Sequence, residues 1–392
     1  MAATLAALLL ASSAPSPLYV VFQRQFDFSA ITLTSVFAVY ALALLGSLLV
    51  VGSLSDHIGR RPVVLFALAI QVVAMVVFAT AGGVGALFAA RTLQGVATGI
   101  AMGAISAALL DLQPDDKPWF GSLAGAVAPM AGLALGALAT GFLVEYGPNP
   151  TTLVFWLLFG GFVVAWVAAL AVPETVEPDG RWRASLKPRI GVPRDLRPGF
   201  FRALPCLAAT WALGGLILSL GPSLTVSVLG EPSHVSASLP LFLMAGISGL
   251  ASIWVRKLSP RTTARGGLGA LIVGLGLAVA AIATGSNALF LVASVFCGLG
   301  FGPSFAGIFR ALAEAAPVDR RAELVSSILT VSYLAFSLPA IAAGIAVTQV
   351  GLQDTAVVYG SVLIVLASLA LALSGRLEGA PELASATGGA AP

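Results

Sequence analysis

Few side chains in this 392-residue sequence are placed to do chemistry, and those that are fall into three sets. The first is the run Gly52-Ser53-Leu54-Ser55-Asp56-His57-Ile58-Gly59-Arg60-Arg61-Pro62. Gly52 and Gly59 permit a tight turn and the close approach of another segment. Asp56 supplies an anion suited to a helix N-terminus, and Arg60 and Arg61 supply fork-shaped donors for a carboxylate. Such groups can make and release a latch. The second set, Arg91, Gln94 and Thr98, recurs at i, i+3 and i+7; the third, Ser326, Thr330, Tyr333 and Ser337, recurs at i, i+4, i+7 and i+11. Each makes one stripe along a helix. Both stripes are expected to face a wet cavity. The competing readings are hydroxyls bonded back to carbonyls of their own helix and an arginine reaching out to a polar interface.

Composition sets the elements that must hold these residues. The chain is 58% hydrophobic and only 9% charged, with a mean hydropathy of +0.99, whereas a water-soluble chain carries roughly 25% charged residues. Too few charges remain to clothe a globular surface, so the solvent is lipid. A membrane-crossing helix needs about 20 apolar residues. Twelve runs qualify: 3–22, 30–53, 62–81, 84–110, 118–145, 150–172, 199–221, 235–256, 266–284, 287–312, 321–348 and 355–374. They use most of the chain, which excludes an extramembrane enzyme or nucleic-acid-binding domain by length. Cys206 and Cys297 lie in separate apolar runs, fit no metal-ligand spacing and are read as packing residues. His57 and His234 fall in loops and are read as solvated. The first apolar run lacks the basic segment of a secretory signal and counts as a span.

With the N-terminus inside, all 20 Lys and Arg residues lie on or beside the inner face except Arg24, in the first outer loop, and Arg91, within span four. The positive-inside rule favours this orientation, with both termini cytoplasmic. Residues 173–198 carry Arg181, Arg183, Lys187, Arg189, Arg194 and Arg197. They divide the spans six and six and are read as a solvated cytoplasmic linker. It joins an N-terminal bundle, 1–172, to a C-terminal bundle, 199–375, with 376–392 a disordered cytoplasmic tail. The halves echo one another. Ala86-Leu87-Phe88 opens span four as Ala288-Leu289-Phe290 opens span ten, and Ala137-Leu138-Ala139-Thr140-Gly141 in span five reads like Ala340-Ile341-Ala342-Ala343-Gly344 in span eleven. Duplication explains both, and parallel repeats are a signature of membrane carriers. Spans three, six, nine and twelve are almost bare of polar side chains and are expected to face lipid, where unsatisfied polar groups are not tolerated.

The loop from Gly52 to Pro62 resembles the G-x-L-x-D-R-x-G-R-R motif of the major facilitator superfamily of secondary transporters, with His57 where arginine is usual. Arg91-Thr92-Leu93-Gln94-Gly95, followed by Gly99, resembles the family's R-x-x-Q-G-x-x-x-G segment, and Gly95, Gly99 and Gly103 form a ridge for close helix packing. In span five, Gly132, Gly136, Ala137, Thr140 and Gly141 are similar to the G-x-x-x-G-P-x-x-G-G motif of the drug and proton antiporter branch. Ala137 stands where that motif has proline, Thr140 where it has glycine, and Pro129 is out of register. The resemblance implies that Asp56 docks at the start of span eleven, Asp319 to Glu323, and that a loop arginine pairs with Asp111. Gly52, Asp56, Gly59, Arg60, Arg61 and Asp111 are therefore the expected gate. The resemblance also associates the span-four arginine with proton coupling or with substrate charge. Gly298-Leu299-Gly300-Phe301-Gly302-Pro303 in span ten lacks the preceding strand of a phosphate loop and is read as a flexible, broken helix segment beside the cavity.

The expected fold is an all-α membrane protein with twelve transmembrane helices in two pseudo-symmetric six-helix bundles that rock about a midplane cavity. Spans one, four, seven and ten, flanked by two, five, eight and eleven, would line it. The candidate substrate contacts are Tyr40, Arg91, Gln94, Thr98, Trp211, Phe301, Phe305, Ser326, Thr330 and Tyr333. A lining so apolar and aromatic suits a small lipophilic or amphiphilic molecule better than a sugar phosphate. No catalytic constellation is visible, so no enzyme activity, metal or cofactor is expected. The expected function is efflux of a drug-like compound or metabolite, driven by the proton gradient as an antiporter. An uptake or sugar-efflux carrier not coupled to protons comes second, and the latch argues against a channel. Every acid lies in a loop or near a span end, which leaves no carboxylate mid-membrane to carry the proton. The expected partners are the small-molecule substrate and the lipid bilayer, without nucleic acid, for a monomer in the cell membrane.

Overall fold

A computed structural model of the chain describes residues 1–117, 119–178, 183, 186, 188, 190–317 and 320–375. The tail 376–392, three basic residues of the linker (Arg181, Lys187 and Arg189) and Asp319 lie outside the described residues. In hydrocarbon every backbone N–H and C=O must be bonded within the protein, and apolar runs meet that condition as helices. Among the described residues twelve helical spans result: Ala2–Phe26, Ala30–Val51, Arg60–Ala79, Val84–Asp111, Phe120–Tyr146, Pro150–Leu170, Arg194–Ser227, His234–Lys257, Pro260–Thr284, Asn287–Ala315, Arg321–Val350 and Leu352–Ser374. Among the described residues there is no strand. Serines mark several starts. Ser29, Ser233, Ser259 and Ser286 Oγ accept from the backbone N–H of Thr32, Ser236, Thr262 and Leu289 at 3.1–3.3 Å, satisfying first-turn donors that have no partner in the helix. Ser29 and Ser233 open the second helix of each six, so the cap extends the duplicated plan.

Span ten departs from expectation. It is continuous from Asn287 to Ala315 with Pro303 inside it. Its glycines serve proximity instead of flexibility: a Cβ on Gly300 would lie 2.5 Å from Leu271 N, and one on Gly298 would lie 2.6 Å from Met244 O. The interruption falls in span one, which consists of Ala2–Ser13 and Pro15–Phe26. Pro15 and Pro17 carry no N–H, and each frees a carbonyl one turn earlier.

The outer positions of spans six and twelve are as expected, with 22% and 28% of their most apolar stretches buried against 72% for span one and 78% for span seven. Span three is half buried, because spans four and six cover it, and its Gln71 is wholly buried. The two bundles meet along span five against span eight and span two against span eleven. Gly141 lies against Ser238 and His234, and Gly344 against Ala30 and Thr34. The echoing segments of spans five and eleven thus make equivalent contacts, each on the second helix of the opposite bundle.

Candidate functional site

A cavity of about 150 Å³ lies between the two bundles. Five of the sequence-predicted contacts line it: Tyr40, Trp211, Phe301, Phe305 and Tyr333. Trp211 stands at the centre of an aromatic set, its ring meeting those of Tyr333, Phe305 and Phe336 at centroid distances of 4.8, 5.4 and 6.0 Å, all edge to face. That arrangement suits the ring quadrupoles. The opposite wall includes Ser12, Phe37, Met102 and Met130, and Tyr333 OH reaches Met102 Sδ at 3.8 Å from the other bundle. Sequence reasoning missed these four, together with Met244 and Phe336. Phe37 and Phe336 carried a signal, each being three residues from a tyrosine already singled out and so on the same helix face. The methionines carried none.

Arg91, Gln94 and Thr98 do not line this cavity. All three are completely buried, behind Ser12 and Tyr40, and the first two repair the break in span one. Pro15 cannot donate to Ala11 O, and Gln94 Nε2 donates to that carbonyl at 2.9 Å. Arg91 Nη1 donates to Ser12 O at 3.0 Å and to Gln94 Oε1 at 2.7 Å, while Nε and Nη2 donate to Tyr19 OH at 2.7 and 2.5 Å. Its Cζ also lies 5.1 Å from the Tyr40 ring centre and 5.5 Å from that of Tyr19. A full positive charge is therefore held by carbonyls, an amide, a phenol and ring faces, with no described carboxylate in contact.

The remaining hydroxyls bond within their own helices. Thr98 Oγ1 donates to Gln94 O at 2.8 Å, Thr330 Oγ1 to Ser326 O at 2.7 Å and Ser337 Oγ to Tyr333 O at 2.8 Å. Back-bonding is thus the correct reading for these three. Ser326 and Thr330 lie outside the cavity lining, and of the span-eleven stripe Tyr333 alone enters it.

At the loop, Arg60 Nε donates to Asp111 Oδ2 at 3.2 Å, Nη1 donates to Ser55 Oγ at 2.8 Å, and the guanidinium pairs with Asp56. Gly103 of span four packs on Gly52, where a Cβ would lie 2.8 Å from Gly52 O. Gly59 adopts φ +102°, a conformation that favours glycine, and a Cβ there would lie 2.5 Å from Glu174 Oε2. Glu174 is a participant the sequence did not reveal. Its carboxylate accepts the Arg60 and Arg61 backbone N–H groups at 2.8 and 2.9 Å and so caps span three, while Thr175 Oγ1 donates to Asp111 Oδ2 at 2.9 Å. Burial pushes the Glu174 carboxyl up, but the backbone N–H groups of Arg60, Arg61, Val176 and Thr175 together outweigh it and hold the pKa below its ordinary value. Arg61 makes a long contact with Leu170 O at 3.5 Å. Asp56 pairs with Arg60 of its own bundle. At the described start of span eleven Arg320 pairs with Glu323 at 3.0 Å, and Asp319, part of the implied docking position, is outside the described residues.

Two six-helix bundles around a shared cavity, with a charged loop clasping one of them, define a twelve-span carrier fold. The chain belongs to the Major Facilitator Superfamily, whose family model matches residues 1–340, and is a multi-pass membrane protein. It is similar to the MFS-type transporter paaT of Penicillium rubens, 30% identical over 131 residues, 33% of this chain and 24% of that one. It is also similar to polyamine transporter 3 of Saccharomyces cerevisiae, 28% identical over 124 residues, 32% of this chain and 20% of that one. The matches therefore span about a quarter or less of the length of these relatives. Among solved structures, a bacterial homologue of the human lysosomal transporter Spinster, inward-facing and unoccupied, superposes with a TM-score of 0.76 at 14% identity, covering 96% of each chain. The nucleoside transporter NupG does so with a TM-score of 0.70 at 13% identity, covering 96% of this chain and 97% of that one. At such identities the likeness shows the fold alone.

Proposed function

We propose that the chain exports a small lipophilic or amphiphilic molecule, a drug-like compound or metabolite, by alternately opening the central cavity to either side of the membrane. The composition of that cavity carries the reading: its lining is aromatic and aliphatic, with polar atoms confined to a few hydroxyls and one indole. Three of the five methionines, Met102, Met130 and Met244, belong to it, and methionine adapts to irregular ligands. At about 150 Å³ the cavity is smaller than the roughly 300–1,000 Å³ usual for ligand sites, so a larger cargo requires the bundles to part. The basic residues orient the Gly52–Pro62 loop to the cytoplasm, where Asp56, Arg60, Arg61 and Asp111, with Glu174, form the gate.

Proton antiport is the proposed energy source, on the resemblance of span five to the antiporter motif. A second reading, movement down the cargo's own gradient, is favoured by the position of the acids. The described ones, such as Asp27, Asp56, Asp111, Glu145 and Glu323, sit at span ends or in loops. Proteoliposomes with an imposed pH gradient and a radiolabelled aromatic amide distinguish the two. Uphill movement supports antiport, saturable movement indifferent to the gradient supports the second reading, and no saturable movement of any small aromatic compound overturns both.

A further inference from the structure

The two walls of the cavity differ in what their polar atoms leave unused. On the first-bundle wall Ser12 Oγ and Tyr40 OH bond to one another at 2.7 Å, and Ser12 Oγ donates to Leu8 O at 2.8 Å. On the second-bundle wall the Trp211 indole N–H is buried without a partner, although its ring is fixed by Phe305, Tyr333 and Phe336. A buried donor left unmatched is costly, and an acceptor on a bound molecule would remove that cost.

Charge points the same way. The fixed charge behind the first wall is the Arg91 cation, which reaches the cavity through Ser12 O and the Tyr40 ring. No described carboxylate faces it, so the dipoles and ring faces that hold it leave its charge unneutralised.

We infer that the cargo is an uncharged or anionic aromatic molecule bearing a hydrogen-bond acceptor, that Trp211 receives this acceptor, and that cations of the polyamine type are excluded. The inference rests on the central cavity being the cargo site and narrows what that site accepts. It sets this chain apart from the polyamine transporters it partly matches, since a polycation would need carboxylates where this cavity offers a donor. Aromatic walls can also hold a cation against their ring faces, and that is the competing outcome a charge series distinguishes.

The test is thermal unfolding of the full-length protein in lipid nanodiscs with four probes of similar outline: toluene, benzamide, benzoate and benzamidinium. Ligands of the folded state raise its midpoint. Benzamide and benzoate should raise it more than toluene, and benzamidinium should not raise it. Trp211→Phe keeps a ring and removes the donor, so the apparent affinity for benzamide should fall about tenfold, the worth of one hydrogen bond, while that for toluene is unchanged. Benzamidinium stabilising as strongly as benzamide, or Trp211→Phe binding benzamide as tightly as wild type, would overturn the inference alone. If none of the four probes moves the wild-type midpoint, the reading of the cavity as cargo site falls with it. The wild-type series needs no variant and stands even where Trp211→Phe fails to fold.

Discussion

The two ends of the bundle pair are held by different means. At the end carrying the Gly52–Pro62 loop, Arg60, Asp56, Asp111, Glu174 and Thr175 tie the loop, the start of span three and the end of span four into one bundle. A crossing to the second bundle there is the Arg256 guanidinium over the Trp119 ring, at 5.0 Å. At the far end the bundles touch directly. Gly141 lies on the start of span eight, Gly344 on the start of span two, and Glu145 Oε2 accepts the His234 backbone N–H at 2.7 Å. Steric fit weakens steeply with separation, whereas partly solvated ion pairs tolerate small displacements. The fit of small residues is therefore expected to set the equilibrium between closed and open at the far end, with the charged loop holding the shape of its own bundle.

The largest effect should follow from spoiling the fit. A Cβ on Gly344 would overlap Thr34 Oγ1 and lie 3.0 Å from Ala30 O. Gly344→Val should disfavour the closed far end by about 1–3 kcal/mol, the usual cost of overpacking, with Gly141→Val acting in the same direction. The readout is labelling of Leu220→Cys by a membrane-impermeant maleimide. Leu220 is buried beside a polar recess of about 390 Å³ at that end, with Gln23, Arg24 and Asp27, and both native cysteines are buried. Labelling should accelerate roughly ten- to a hundredfold, and Thr34→Ala should partly restore the wild-type rate. An unchanged rate in both glycine variants would remove fit as the closing agent.

Arg60→Ala comes next. The Arg60 side chain is 12% exposed, but Asp56 is 53% exposed and Asp111 34% exposed, so screening discounts the pairs and the loss should be about 1–2 kcal/mol of stability. The unfolding midpoint should fall while Leu220→Cys labels at the wild-type rate. Acceleration matching that of Gly344→Val would erase the distinction between the ends.

The Arg60–Asp111 pair was legible through the resemblance of the loop to the family motif, with which hydropathy agrees by placing the loop and the end of span four on one side of the bilayer. Glu174 was not. As a string it is an ordinary acid after span six, and its role as a cap depends on where the exit of span six lies relative to Arg60. The twelve spans were legible because apolar runs are local, and the interruption was misplaced because its causes are not. Gly298 to Pro303 reads as flexible, yet packing against Leu271 and Met244 turns those glycines into contacts. Pro15-Ser16-Pro17 is hidden in an apolar run, and the groups that repair it come from span four. Periodicity likewise shows that Arg91, Gln94 and Thr98 share a face, but not whether that face meets a cavity or a neighbouring helix.

Glu174 offers a test through pH. Its pKa is lower in the folded chain than its ordinary value, so its contribution is present above the ordinary carboxylate range, near pH ~4.3, and is lost as pH falls through the folded value. Acidification should lower the wild-type unfolding midpoint, and Glu174→Gln should flatten that dependence while lowering the midpoint less than Arg60→Ala at neutral pH. Identical pH profiles would show that the cap does not depend on the charge. Labelling of Leu220→Cys should again be unaffected.

The smallest effect is expected at Glu145, a charged group that joins the bundles at the far end. Glu145 is exposed, and its carboxylate meets the first turn of span eight in the opposite bundle, where a negative charge is worth about 0.3–1 kcal/mol. Glu145→Gln keeps a carbonyl oxygen able to accept the His234 N–H, so it removes only the charge; labelling of Leu220→Cys should rise by no more than about fivefold, the upper end of that range. Glu145→Ala removes the acceptor as well and should lie between Glu145→Gln and Gly344→Val. That order separates the two contributions, because glycine contact and carboxylate cap act on the same pair of bundles at the same end. If Glu145→Ala instead opens the far end as far as Gly344→Val does, an ionic cap closes it, and the two ends of the molecule work by one principle.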